Sequence, residues 1–453
     1  MKKTQDFTTG KIFLPLLRFA MPVLLSLFLQ TMYGAVDLLI VGQFGGELAD
    51  VYVSAVATGS QIMRTMTLMI TGLAMGLTVY VGQKIGQGKR EEAGRIIGCG
   101  IWLFAAMAVA ISVIMCFAAP AVARIMRAPQ EAFSQTVSYI LICSVGCVCI
   151  VAYNLIGSVF HGIGDSRTPL ITVAIACVLN ILGDLLLVAV LDKGASGAAI
   201  ATVAAQASSV VISLLLIRRR TLPFHFSIKY ITPRGGHIRK ILKLGIPIAL
   251  QDLLVNISFL FLTAIINDIG LTESAGVGVA DKMCGFLMLL PAAYMQAMSA
   301  FVAQNIGAGK PERARRTLWC GIGSSLIIGA IMCYAAFFHG DLLAGIFAKD
   351  TAVILAAWEY MKAYAIDCLF TAFLFCFIGY FNGCGRTTFV MLQGVLGAFC
   401  VRLPVAWFMS RREVVSLFHI GLATPCSTFV QIVLCLGFFF LLCRRQRAAQ
   451  SIF

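Results

Sequence analysis

Residues 82–95 read GQKIGQGKREEAGR, and residues 303–316 read AQNIGAGKPERARR. At an offset of 221 the stretches share Gln83/Gln304, Ile85/Ile306, Gly86/Gly307, Gly88/Gly309, Lys89/Lys310, Glu91/Glu312, Ala93/Ala314 and Arg95/Arg316. The same offset carries Phe160, Gly162 and Gly164 of FHGIGDS onto Phe381, Gly383 and Gly385 of FNGCGRT. Two separated matches at one offset identify an internal duplication. The Gly-Lys wording also invites a phosphate-binding loop, which needs G-x-x-x-x-G-K-[ST]. Gln83 stands where the first glycine belongs and Arg90 where the hydroxyl belongs, so the motif fails at both ends.

The chain has 453 residues, of which 60% are hydrophobic and 12% charged, with a mean hydropathy of +0.92. A soluble domain carries about a quarter charged residues, so this composition belongs to an integral membrane protein. Apolar runs of about 20 residues cross a bilayer as helices. Twelve are readable, near 13–41, 51–80, 96–119, 134–160, 169–191, 195–217, 242–267, 274–302, 317–338, 352–380, 388–409 and 415–443. No cleavable signal is visible, and the first span is expected to serve as its own insertion signal.

The expected fold is therefore all-α, with twelve transmembrane helices in two six-helix bundles. The first bundle covers 1–217, a basic linker 218–240, and the second bundle with a short basic tail 241–453. An even number of spans per copy makes the repeats parallel, about an axis along the membrane normal. A substrate cleft between the bundles, opened to alternate sides by rocking, is the expected consequence.

Positive charge orients the chain. Lys2, Lys3, Lys11, both Gly-Lys turns, Arg167, Arg386, the linker and Arg444, Arg445 and Arg447 fall on one side. The opposite side has Arg124, Arg127, Lys193, Lys349, Arg411 and Arg412, mixed with carboxylates. Both termini are expected in the cytoplasm of a prokaryote, with the chain in its inner membrane. The net charge of +15 then reflects topology and attraction to lipid headgroups, and no nucleic-acid partner is implied. Of sixteen cysteines, nearly all sit inside spans, as packing residues do, and Cys143, Cys147 and Cys149 have no His or carboxylate nearby. No His/Asp/Glu cluster, Ser–His pair or nucleotide loop appears, so neither an enzyme nor a cofactor is expected.

Charge inside a span is costly and usually functional. In the first half it is Asp37, with Gln30 and Tyr33 on the same helix face, and Asp184, with Asn180 at i, i+4. Thr202 and Gln206 form a third stripe in the sixth span. Asp37 lies roughly 35 Å and Asp184 roughly 25 Å along their spans from the cytoplasmic ends, so the stripes share a depth in the outer half. Carboxylate, amide and hydroxyl oxygens suit Na⁺, and two carboxylates in a dry site share a proton readily. Asn or Thr alone is explained by interhelical hydrogen bonding; two aspartates on polar faces are not. Shifting Asp184 by 221 gives Val405, so the second half lacks this carboxylate. Among its buried charges, Asp367 and Arg402 are candidates for lining a cavity. Met288, in a Met-rich eighth span with Met283, Met295 and Met298, is a third.

Together these features resemble the multidrug and toxic compound extrusion (MATE) transporters over essentially the whole chain. The pattern R-F-A-x-P at Arg18 to Pro22 is matched by K-L-G-x-P at Lys243 to Pro247, and H-G-x-G-D-S-R-T-P spans His161 to Pro169. Within the family the residues look closest to the archaeal and DNA-damage-inducible branch. That resemblance implies a cation pocket of Asp37, Asn180, Asp184 and Thr202, with Gln30, Tyr33 and Asn154 in its polar network. The other main branch has a glutamate in the seventh helix, where Val255 and Asn256 stand here. The family implies a monomeric antiporter exporting cationic, amphipathic compounds against Na⁺ or H⁺. A flippase for lipid-linked oligosaccharide is the alternative on a related fold. Its polyanionic substrate calls for several cavity arginines, and only Arg64 and Arg402 answer.

Overall fold

In hydrocarbon a backbone must satisfy its own N–H and C=O groups, which leaves helices as the economical way to thread these apolar runs across. The computed structural model describes residues 6–219 and 222–450, with side chains to Arg444. Lys2, Lys3, residues 220–221 of the linker and the Arg445 and Arg447 side chains lie outside the described residues. The first helices are α1 (Phe13–Phe44), α2 (Ala49–Gly86), α3 (Arg90–Ile125), α4 (Gln130–Val145), α5 (Cys147–Gly162), α6 (Arg167–Asp184) and α7 (Gly194–Arg218). After the linker come α8 (Gly235–Asn267), α9 (Leu271–Leu287), α10 (Leu289–Gly307), α11 (Pro311–Phe338), the short α12 (Gly340–Ala344) and α13 (Thr351–Gly383). The chain ends with α14 (Thr387–Val395), α15 (Leu403–Ser410), α16 (Leu417–Gly421) and α17 (Ala423–Gln450).

Among the described residues eleven helical stretches are long and apolar enough to cross a membrane, and α4 with α5 forms a twelfth, bent by 50°. The bend falls at Gly146, where a Cβ would lie 2.4 Å from the Val203 side chain. The fourth expected span is thus two helices, pinched where α7 approaches. Two spans contain π-helical turns: Leu185–Val190 directly follows Asp184, and Leu396–Arg402 joins α14 to α15. A π turn adds residues to a helix and rotates everything after it. By burial the repeat offset is 221 for the pairs Thr172/Gln393 and Cys177/Ala398, but 222 for Ala201/Ala423, Ser209/Gln431 and Ser213/Cys435. The counterpart of Asp184 becomes Ala406 rather than Val405; neither is a carboxylate.

The chain divides into two compact units, Met1–Ala249 with Ala303–Lys310, and Leu250–Val302 with Pro311–Phe453. In the first, α2 packs on α3 and α5 around Leu77, Val79, Val81 and Ile96, and α6 packs on α1 and α7. In the second, α13 is the central helix, packed by α9, α11 and α17.

The first copy of the Gly-Lys motif and the Ala303–Lys310 part of the second belong to the first unit, and they meet there. A Cβ on Gly86 would sit 2.0 Å from the Gln304 carbonyl oxygen, and one on Gly307 would sit 2.0 Å from the Gln83 carbonyl oxygen. The contact is reciprocal, residue for residue, at the offset of 221. Gly88 and Gly309 close the two turns at φ of +71° and +70°, donating to the Ile85 and Ile306 carbonyls at 3.0 and 3.1 Å. The motif's charges pair within the turn, Lys84 with Glu92 and Arg95 with Glu91, each at 2.6 Å. The N-terminal segment caps the second copy: Phe7 is wholly buried against Phe19. Asn305 Nδ2 donates to the Phe7 carbonyl at 3.2 Å and Lys310 Nζ to the Thr8 carbonyl at 2.8 Å. Burial pushes the Asp6 carboxyl up, but hydrogen bonds from Thr8 and Thr9 and the Lys310 charge hold it below its usual range.

Gly86→Ala or Gly307→Ala drives a methyl into a carbonyl, and each is expected to destabilise the chain by about 2–3 kcal/mol. Gly88→Ala meets only the left-handed backbone, a loss of about 1 kcal/mol. The Gly86→Ala/Gly307→Ala pair should lose less than the sum, because the two contacts form one seam. Thermal melts of the purified chain in detergent measure all four.

Candidate cation site and adjoining cavity

Asp37 reaches the interior from α1, Asn180 and Asp184 from the end of α6, and Thr202 from α7. All three helices belong to the first unit. The α6–α7 hairpin closes tightly because small residues face each other: a Cβ on Gly183 would meet Ala201 at 3.0 Å, and one on Gly197 the Leu187 carbonyl at 3.0 Å. This closeness brings Thr202 Oγ1 to 3.3 Å from Asp37 Oδ2, to which it donates. Asp184 and Asn180 also face Asp37. Asp37, Asn180 and Asp184 are buried, with relative exposures of 5, 1 and 0%. The four residues predicted from three separate spans therefore meet at one point.

Their hydrogen-bonding capacity is not spent there. Asp184 and Asn180 approach Asp37, but hydrogen-bond geometry with it is met by Thr202 alone. Asp37 Oδ1, both Asp184 carboxylate oxygens and both polar atoms of the Asn180 amide lack a partner among the described residues. Buried oxygens in this condition are costly, and a carboxylate pair doubly so. A proton held between the carboxylates or a Na⁺-sized cation on hard oxygen donors answers that chemistry. No group of three or more His, Cys, Asp or Glu side chains suited to a transition metal occurs among the described residues.

Beside the carboxylates lies a small cavity walled by Gln30, Tyr33, Tyr153, Asn180, Thr202 and Gln206, with Val173, Ala176, Ala205 and Ser209 completing it. Asp37 and Asp184 are not in its wall; Asp37 touches it through Thr202. Gln30 Nε2 donates to the Tyr153 hydroxyl at 3.0 Å, tying α1 to α5 across the cavity. Tyr33 faces both Asp37 and Gln206. Asn154 is placed elsewhere: its Oδ1 accepts from Thr71 at 3.1 Å and its Nδ2 donates to the Ile150 carbonyl at 2.8 Å. Its neighbour Tyr153 takes the cavity wall, and sequence reasoning missed it. One residue on a helix turns the side chain by about 100°. The signal available was Gly146, which restarts the helix at a new angle just before this stretch.

In the second unit Arg402 Nη1 donates to Ser258 Oγ at 2.9 Å, and its guanidinium lies 4.1 Å from the centre of the Phe259 ring. Asp367 is buried, facing Thr428 and Arg402. Met288 sits at the junction of α9 and α10, packed against the core around Met283, Cys284 and Tyr364. Asp367 and Arg402 are thus neighbours, while Met288 belongs to the packing of that unit.

A family model, MatE, matches residues 22–186 and 247–408, one match for each copy of the repeat. The chain belongs to the MatE family of transporters. It is 26% identical over 395 residues to the probable multidrug resistance protein YpnP of Bacillus subtilis, covering 86% of each chain. It is 22% identical to YoeA, another probable multidrug resistance protein of that organism, over 99% of this chain and 98% of the relative. The multidrug export protein MepA of Staphylococcus aureus is 21% identical over 89% and 88% of the two chains. Among solved structures, a MATE protein in complex with MaL6 superposes with a TM-score of 0.90 at 18% identity over the whole of both chains. An outward-facing MATE family transporter does so at 0.89 and 19%. The MATE fold that the resemblance implied is therefore the fold of this MatE protein.

Two buried carboxylates that face each other repel, and relieving one of them should stabilise the resting chain. Asp184→Asn and Asp37→Asn are each expected to raise the melting temperature in cation-poor buffer near pH 8, equivalent to about 1 kcal/mol. A fall in both would remove the case for stored repulsion at this point.

Proposed function

We propose that this MatE protein is a secondary antiporter, exporting cationic, amphipathic organic compounds while Na⁺ or H⁺ moves inward. The observation that carries this reading is the meeting of Asp37 and Asp184, buried with Asn180 and Thr202, beside a cavity with polar and aromatic walls. The printed names of its relatives, which are multidrug resistance and export proteins, support the substrate class. Buried acids attract a cationic solute, and the Tyr33 and Tyr153 rings offer it π faces. Aliphatic and amide groups in the same wall accept varied apolar bodies without demanding one shape.

Coupling follows from competition. An inward cation that neutralises Asp37 and Asp184 removes the charge that holds the organic cation, which then leaves. When the inward cation is released to the cytoplasm, the carboxylates are free to take the next solute. Alternating access between the two halves of the duplication, read as six-helix bundles, carries the site from one side to the other. In this reading the chain works as a monomer among lipids in the cytoplasmic membrane, with both termini and the basic linker in the cytoplasm. It resembles the archaeal and DNA-damage-inducible branch in keeping its cation residues in the first half.

Reconstituted vesicles test this. Ethidium efflux driven by an imposed Na⁺ or pH gradient is expected, and Asp37→Asn or Asp184→Asn should abolish it. Thr202→Val should weaken it less. Efflux compared with and without Na⁺ at fixed pH assigns the ion. Full gradient-driven efflux in both aspartate variants would refute the site.

A further inference from the structure

The duplication allows the first unit's site to be followed into the second, residue by residue. In α1 and α8 the register is 225, set by Arg18/Lys243 and Pro22/Pro247. It is supported by the buried pairs Leu16/Ile241, Val23/Ile248 and Val41/Ile266. Asp37 then corresponds to Leu262 and Tyr33 to Ser258. Beyond the π turn the register is 222, so Asn180 corresponds to Arg402, Asp184 to Ala406, Thr202 to Thr424 and Gln206 to Thr428. In α4 and α13 it remains 221, and Tyr139, which faces Asp37, corresponds to Tyr360, which faces Arg402.

The second unit therefore keeps the frame of the site and inverts its charge. Both carboxylates have become apolar residues, and an arginine stands where the asparagine stood. The guanidinium is buried, held by Ser258 and stacked on Phe259. Its counter-charge comes from a position with no equivalent acid in the first unit: Asp367 corresponds to Gly146, the glycine of the α4–α5 bend. Asp367 faces both Thr428 and Arg402, so the acid meets two positions of the copied frame.

We propose that Arg402 is a tethered occupant of this second copy: its guanidinium takes the place that the coupling cation takes in the first unit. The second unit is thereby closed to free cations, and one cation site per chain remains. This rests on the reading of Asp37 and Asp184 as that first site. A covalently attached cation cannot leave, so the second copy serves as fixed structure and does not titrate ions during the cycle. Arg suits the role better than Lys, because a planar guanidinium can donate to Ser258 while lying on the Phe259 face, with the Asp367 charge nearby.

The test uses the full chain in detergent carrying Asp37→Asn and Asp184→Asn, so that only the second copy is read. Its melting temperature is followed against guanidinium ion at low concentration and against Na⁺, at constant ionic strength. With Arg402 present the curve should be flat. Arg402→Ala in that background should acquire a saturable rise of roughly 2 °C with guanidinium, and Asp367→Asn should abolish that rise. A flat response from folded Arg402→Ala would overturn the proposal. So would a cation-dependent rise in the background that Asp367→Asn removes. Where Arg402→Ala fails to fold, Asp367→Asn alone should melt lower than the background, and Arg402→Gln/Asp367→Asn should recover most of the loss. No recovery overturns the proposal as well. The same titration on the chain with Asp37 and Asp184 intact reads the first site separately, so failure of one reading is distinguishable from failure of the other.

Discussion

Gly86 and Gly307 each leave room for the carbonyl of the glutamine three residues before the other. This reciprocal backbone contact is the point from which the architecture is laid out. A side chain at either position would part the two turns, because a carbonyl oxygen cannot be pushed aside as a flexible side chain can. Around it, matched left-handed glycines at 88 and 309 end their helices alike. In the first copy Lys84 and Lys89 pair with Glu92 in the turn, and in the second Lys310 reaches the Thr8 carbonyl. A Gly-Lys stretch that resembles an anion cradle is thus a helix terminus and a contact of like with like.

Duplication supplies two frames, and the chain uses them differently. In one, three helices each contribute polar groups to a dry point where two carboxylates, an amide and a hydroxyl meet. In the other, Leu262, Ala406, Arg402 and Thr424 stand at the corresponding positions. The unequal use is economical in a membrane, where each unpaired charge costs several kcal/mol. One site keeps charge in need of a partner, and the other carries its partner within the chain.

Much of the fold was legible before any coordinates. The span count, the repeat and the candidates Asp37, Asn180, Asp184 and Thr202 follow from hydropathy, spacing and the resemblance they support. Helix periodicity told which side chains share a face but not which faces meet. Gln30 and Gln206 did reach the cavity, whereas Asn154 turned to Thr71 and Tyr153 took the wall. The bend at Gly146 reset the rotation of α5, and nothing in an apolar pattern reports a bend. Likewise the π turn before Arg402 moved the repeat register by one residue, which changes the counterpart of Asn180 from Val401 to Arg402.

By itself the sequence determined what the solvent demands: an apolar chain in lipid must be helical, and its rare buried charges must have a purpose. It also determined the repeat, because equal residues at equal spacing fold alike. Tertiary structure alone decided which polar stripes converge, how closely the α6–α7 hairpin closes over small residues, and that the two Gly-Lys turns touch. Those outcomes depend on helix rotation and approach, set by bends, π turns and backbone contacts between residues far apart in the chain. No local pattern of residues records them.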